Sequence, residues 1–145
     1  MILLDLNVIL DVVQKREPHY NASAAVLGKV TDGHVPACLP AHAFTTLHYL
    51  VARHQTEPVA NRVVDWLLRY FEVAGTTRRE LEVARALDWP DFEDAVVAAA
   101  AQSSSCTHIV TRNVRDFRGS QVPTLTPEEY LFDSRWFGGK VDSTH

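Results

Sequence analysis

Met1-Ile-Leu-Leu-Asp-Leu-Asn-Val-Ile-Leu-Asp11 sets an apolar run, Ile2 to Leu4, against a carboxylate at Asp5, then Asn7, then a second apolar run ending at Asp11. A short apolar run bounded by polar residues reads as a buried strand. In an open α/β sheet the ligand crevice lies outside the carboxyl ends of the strands. Asp5 falls at such an end, and Asn7 stands where it can cap the helix that follows. Capping alone would account for Asp5 if no other acid converged on it.

Downstream, helices and strands alternate. Val8 to Val13 reads as the first helical turns, broken by Lys15-Arg16-Glu17-Pro18 because proline disfavours helix at the residue before it. Helical spacing returns over Asn21 to Val30, with Ala24, Leu27 and Val30 inward. Val35 to Leu39 is a strand, and proline within the run predicts an edge strand. Helices follow over Ala41 to Arg53, with Phe44, Leu47, Leu50 and Val51 facing the core, and over Val59 to Tyr70, with Val63, Trp66, Leu67 and Tyr70 buried.

Phe71 to Ala74 is a third strand. Thr76 or Thr77 then caps a helix over Arg78 to Leu87 with Leu81, Ala84 and Leu87 inward. Asp91 to Ser103 is strongly helical, Asp91 standing as its N-cap and Asp94 three residues on. Thr107 to Val110 and Val122 to Leu125 complete the strands, and Thr126-Pro127-Glu128-Glu129 opens a last helix. Such alternation implies one α/β domain around a largely parallel sheet, spanning residues 1–132, with 133–145 a loose tail.

Three carboxylates therefore stand where a strand or loop meets a helix: Asp5, Asp94 and Asp116, the last near Asn113. If the first and fourth strands are parallel neighbours, Asp5 and Asp116 emerge at one end. Asp94 poses a conflict, because sheet geometry is expected to put the start of its helix at the opposite, amino-end side. An antiparallel fourth strand or a tilted helix would remove it. Clustered acids resist ionising together. Mg²⁺ or Mn²⁺ relieves this through carboxylate oxygens and can activate water and stabilise charge on a phosphodiester.

Composition bounds the partners. The 145 residues carry 46% hydrophobic and 22% charged side chains, an ordinary globular balance. No basic n-region precedes a long apolar segment, and no apolar run reaches membrane-span length, so a soluble, cytoplasmic protein is expected. Two cysteines, Cys38 and Cys106, exclude a four-cysteine zinc site by count and are expected to pack as small hydrophobes. The net charge of −4 leaves any nucleic-acid activity to a local basic patch, a metal or a partner. Lys15, Arg16, Arg112, Arg115 and Arg118 flank the acidic stretches and are candidates for holding RNA phosphates.

Leu4-Asp-Leu-Asn-Val-Ile-Leu-Asp11, Asp91-Phe-Glu-Asp-Ala-Val-Val-Ala-Ala99, Ile109-Val-Thr-Arg-Asn-Val-Arg-Asp-Phe117 and the closing Pro123-Thr-Leu-Thr-Pro-Glu-Glu-Tyr-Leu131 together resemble PIN-domain proteins, the group that includes VapC-type toxins. The resemblance runs from Met1 to about Phe132. It implies a three-layer α/β/α sandwich with a metal-dependent endoribonuclease site, in which the helix start at Asp94 faces the other acids. By matching positions, Asp5, Asp94 and Asp116 would be the catalytic, metal-binding acids. Asn7 would support Asp5, and Asn113 would border the site. Asp91 would either join the acids or remain only a helix cap, the cap being favoured. The resemblance implies a Glu, carried by many members, at the position where this chain has Thr46. His42 lies one helical turn before it on the same face, while His48 faces elsewhere and His108 reads as structural.

The leading expectation is thus a Mg²⁺- or Mn²⁺-dependent endoribonuclease leaving 5′-phosphate and 3′-hydroxyl ends, the toxin of a type II toxin–antitoxin pair. Its implied partners are RNA, a cognate antitoxin covering the acidic site, and a second copy docking around Trp66. The alternative is a degenerate PIN fold that binds RNA or a protein without cleavage, which Thr46 and the acidic charge favour. A receiver-like signalling domain is a third reading. It expects an acidic pair after the first strand and a Lys after the last, and neither is present.

Overall fold

In a computed structural model, residues 1–133 are described; the expected tail beyond Asp133 lies outside them. The element order is β1 (Ile2–Leu4), α1 (Leu6–Val13), α2 (Tyr20–Thr31), β2 (Ala37–Pro40), α3 (Ala41–His54), α4 (Glu57–Tyr70), β3 (Glu72–Ala74), α5 (Arg78–Leu87), α6 (Phe92–Ser103), β4 (His108–Val110) and β5 (Thr124–Leu125), closed by α7 over 127–133. The five strands form one sheet in the order β3-β2-β1-β4-β5, and every pairing is parallel.

The period-2 alternation of strand side chains builds two cores from one sheet. Ile2, Leu4, Leu39 and Val110 face the layer that contains α1, α2, α3 and α4. Leu3, Cys38 and Ile109 face α6 and its run of small residues, Val97, Ala98, Ala100 and Ala101. This is the expected α/β/α sandwich. Alanine lets α6 lie close against the sheet, and Val97 and its alanines through Ala101 are buried. Cys38 and Cys106 are both free and buried, their sulfurs 3.4 Å apart, in the small-hydrophobe role expected of them.

Several expectations need correction. β2 is internal, between β1 and β3. Pro36 precedes the strand, where its carbonyl accepts from the Ile2 amide at 3.0 Å, and Pro40 ends it, so neither proline interrupts the ladder. On α4 the buried residues are Ala60 and Leu67, whereas Trp66 and Tyr70 are exposed. On α5 the inward positions are Glu80 and Ala84, and Leu81 is exposed. Leu81 yields because Glu80 accepts hydrogen bonds from the Thr77 amide and hydroxyl at 2.7 and 2.8 Å and from the Ser103 hydroxyl at 3.1 Å.

That last bond also fixes direction, joining the start of α5 to the end of α6. The chain then enters β4 beside the start of β1, the Thr107 amide donating to the Met1 carbonyl at 2.8 Å. α6 therefore runs antiparallel to the strands and begins at their carboxyl edge. A helix feeding a parallel strand has to return in this way, so the expectation of an amino-end start was wrong. β4 is parallel, and no tilt is needed. Among the described residues no helix is long and apolar enough to cross a membrane.

Candidate active site

β1 continues on one side to β2, while β4 lies on its other side. The crevice between β1 and β4 is thus a topological switch point, where open α/β sheets bind ligands. Leu4 is in register with Val110, so the residues just beyond, Asp5 and Thr111, stand side by side. The Asp5 amide donates to the Val110 carbonyl at 2.9 Å. Its carboxylate accepts from the Leu6 amide at 2.8 Å on Oδ1, and from the Thr111 hydroxyl at 2.8 Å and Asn7 Nδ2 at 3.3 Å on Oδ2.

Asn7 does more than lie close. Its Nδ2 also donates to Thr111 Oγ1 at 3.2 Å, and its Oδ1 accepts from the Arg112 amide at 3.3 Å. Thr111 Oγ1 in turn accepts from the Asn113 amide at 3.1 Å. This network pins the turn after β4 to the start of α1. Thr111 is fully buried and went unremarked in the sequence. The register of two adjacent parallel strands was the signal that would have shown it.

Asp94 lies in the first turn of α6. Asp91 is its N-cap, Oδ1 accepting from the Asp94 amide at 3.1 Å, so the cap reading holds while Asp91 also stands among the acids. Burial pushes Asp94 up to about 7, helped by the negative charges of Asp91, Asp5, Asp116 and Glu93 in that order. Asp5 is also raised, chiefly by burial; bonds from Thr111 and Leu6 oppose this, and Glu93 adds to it. The structure thus brings Asp5, Asp94 and Asp116 into one electrostatic neighbourhood.

Glu93 belongs there too and was missed. Counting every acid in the first turn of α6 would have found it. His42 reaches the same place, its Nε2 3.3 Å from Glu93 Oε1. Thr46, a turn further along α3, is half-buried. His48 faces α4, 2.8 Å from Asn61 Oδ1, and His108 sits against the Tyr130 ring at 6.2 Å.

A cleft of about 360 Å³ adjoins the acids, lined by Trp89, Pro90, Asp91, Asp94, Arg115, Asp116 and Arg118. Arg115 and Arg118 are thus on the site. Arg112 turns inward, its Nε 2.9 Å from Oδ2 of the fully buried Asp11, which also accepts from Ser23 Oγ at 3.0 Å. Lys15 and Arg16 lie beyond the far end of α1, roughly 12 Å along the helix from Asp5, and are not brought to the acids.

No group of three His, Cys, Asp or Glu side chains among the described residues is drawn tightly enough together to hold an ion outright. The donor set nonetheless fits a hard divalent cation. It offers carboxylate oxygens carrying uncompensated charge, and Mg²⁺ is commonly held through one or two carboxylates with several waters retained.

A PIN domain family profile matches residues 1–115. Among curated proteins, none matches the chain. Solved structures do. A toxin–antitoxin complex from Klebsiella pneumoniae aligns with a TM-score of 0.68 at 19% identity, covering 88% of this chain and 98% of its own. FitAcB from Neisseria gonorrhoeae gives 0.63 at 22%, covering 88% and 98%. VapBC-1 from nontypeable Haemophilus influenzae gives 0.66 at 16%, covering 88% and 99%. With a profile spanning residues 1–115 of the 145, the chain belongs to the PIN domain family.

Proposed function

We propose that this protein is a metal-dependent endoribonuclease and the toxin of a type II toxin–antitoxin pair. The observation that carries the reading is the convergence of Asp5, Asp94 and Asp116 on the carboxyl edge of β1 and β4, where the charges of Asp5 and Asp116 add to the burial that pushes Asp94 up to about 7. Asp5, Asp94 and Asp116 would hold Mg²⁺ or Mn²⁺. When bound, such an ion supplies charge stabilisation for a phosphodiester and activates water. The chain's own groups do the positioning. Thr111 and Asn7 hold Asp5 in one orientation. Asn113 borders the crevice, and Arg115 and Arg118 offer guanidinium groups to backbone phosphates.

The partner half of the proposal rests on a second surface. Val12, Val13, Val59, Arg62, Val63 and Trp66 line an apolar groove between α1 and α4, a surface suited to an antitoxin or to a second copy. The Klebsiella pneumoniae structure named above is a toxin–antitoxin complex, which agrees with such a partner.

Cleavage of a mixed structured RNA pool with Mg²⁺ or Mn²⁺, comparing wild type with Asp5→Ala and Asp94→Ala, tests the reading. Metal-dependent cutting that drops at least roughly 100-fold in both variants is the expected result. Cutting that persists in both would move the site elsewhere. Antitoxin-free wild type that does not cut would favour the second reading, a PIN fold that binds without cleaving. Thr46, a neutral hydroxyl where an acid is common, is the observation that favours it.

A further inference from the structure

We propose that Trp89 is a stacking platform for an unpaired nucleobase beside the acids, and so a specificity-determining residue of the cleft. The inference builds on the ribonuclease proposed above and adds a subsite to it. Trp89 lines the same cleft as Asp94, Asp116, Arg115 and Arg118. It is half-buried, while Pro90 beside it is exposed.

The indole is held from behind rather than buried. It packs edge-to-face on Phe117 with ring centroids 6.0 Å apart and planes at 84°. It also abuts both the Ala84–Ala95–Val96–Ala99 cluster and the cluster of α6 and β4. A ring fixed in this way loses little conformational entropy on meeting a ligand, which is what a recognition surface requires. Gly119 has φ +95°, and a Cβ there would lie 3.8 Å from the indole nitrogen. Arg118 and Trp89 line the one cleft.

Acids for a metal, guanidinium groups for phosphates and an aromatic ring form a combination suited to RNA whose bases are splayed out. Bases paired in a duplex keep their faces stacked on one another, whereas an unpaired base can lie on an aromatic side chain. Stacking on such a ring strengthens binding roughly fivefold to a hundredfold per base. A ring serving only as packing would have no reason to respond to a base.

Full-length protein carrying Trp66→Phe and Trp136→Phe leaves Trp89 as the sole tryptophan. Its fluorescence is read with EDTA present, so that metal-dependent cleavage is suppressed, against an oligouridine ten-mer, its abasic counterpart of equal charge, and an RNA duplex. Expected are quenching by the oligouridine and binding at least roughly tenfold tighter than the abasic strand or the duplex. In the wild-type background, followed by a label on the RNA, Trp89→Leu erases that preference and Trp89→Phe retains most of it. Equal affinity for the base-bearing and abasic strands would overturn the platform, as would a preference that survives in Trp89→Leu. Because quenching needs no Trp89 variant, misfolding of Trp89→Leu leaves the test intact. Base-dependent quenching without Mg²⁺-stimulated cutting would sink the nuclease and keep the platform. Cutting without base-dependent quenching would do the reverse.

Discussion

Thr111 and Arg112 are neighbours with different duties. Thr111 spends its hydroxyl on Asp5, at 2.8 Å, so Thr111→Val leaves a half-buried carboxylate short of a donor. Urea unfolding should show a loss of about 1–3 kcal/mol, and RNA cleavage should fall with it, Thr111→Ser restoring most of both. A cleavage rate untouched by Thr111→Val would mean that Asp5 needs no such support. Arg112 neutralises Asp11, which is fully buried and has one oxygen without a hydrogen-bond partner. Removing one member of a buried ion pair strands the other, so Arg112→Ala should cost about 3–5 kcal/mol. A loss below about 1 kcal/mol in the same unfolding measurement would show that Asp11 finds water or another cation. Asp5, Asp94 and Asp116 were singled out in the sequence because each stands where a strand or loop meets a helix. Thr111 and Glu93 were not, since each looks like an ordinary polar residue until its neighbour across the fold is known.

Helix α4 illustrates how a stripe can mislead. Trp66 and Tyr70 follow the same three-and-four spacing as Leu67, yet only Leu67 and Ala60 are buried. The two rings instead lie 5.4 Å apart on the outer face, and Trp66 also meets Phe71 at 6.2 Å. Leu67→Ala should therefore destabilise by about 2–5 kcal/mol, while Leu68→Ala on the exposed side should stay within about 0.5 kcal/mol. Thermal unfolding of the pair checks this, and similar shifts for both would contradict the placement. β2 shows the converse. Its prolines suggested an edge, but their positions before the ladder and at its last residue let the strand sit inside the sheet.

The acid cluster makes the stability of the whole protein depend on pH. Asp94 is raised to about 7 and Asp5 is raised as well, so the folded state binds more protons than the unfolded chain between the ordinary carboxylate range and about 7. Linkage then requires these groups' contribution to stability to fall as pH rises through that window, and to level off above it. Metal-free wild type should lose melting temperature from about pH 5 to about pH 8 relative to Asp94→Asn, which lacks the titrating carboxyl. Mg²⁺ or Mn²⁺ should raise the wild-type melting temperature at about pH 8 and much less at about pH 5, because binding needs ionised carboxylates. Identical pH profiles for wild type and Asp94→Asn would contradict the cluster.

Local signals were sufficient for the elements and for their class. Apolar runs, caps such as Thr126, whose hydroxyl accepts from the Glu129 amide at 3.1 Å, and proline breaks all act within a few residues, so they can be read along the chain. The α/β/α layering follows from the alternation of those elements. The direction of α6, the exposure of Trp66, the pairing of Arg112 with Asp11 and the meeting of Thr111 with Asp5 were settled by strand order and register. The last two of these join residues more than about 100 positions apart. A carboxylate's pKa, a ring's burial and a cation's partner depend on distances across the fold, which the order of residues does not state.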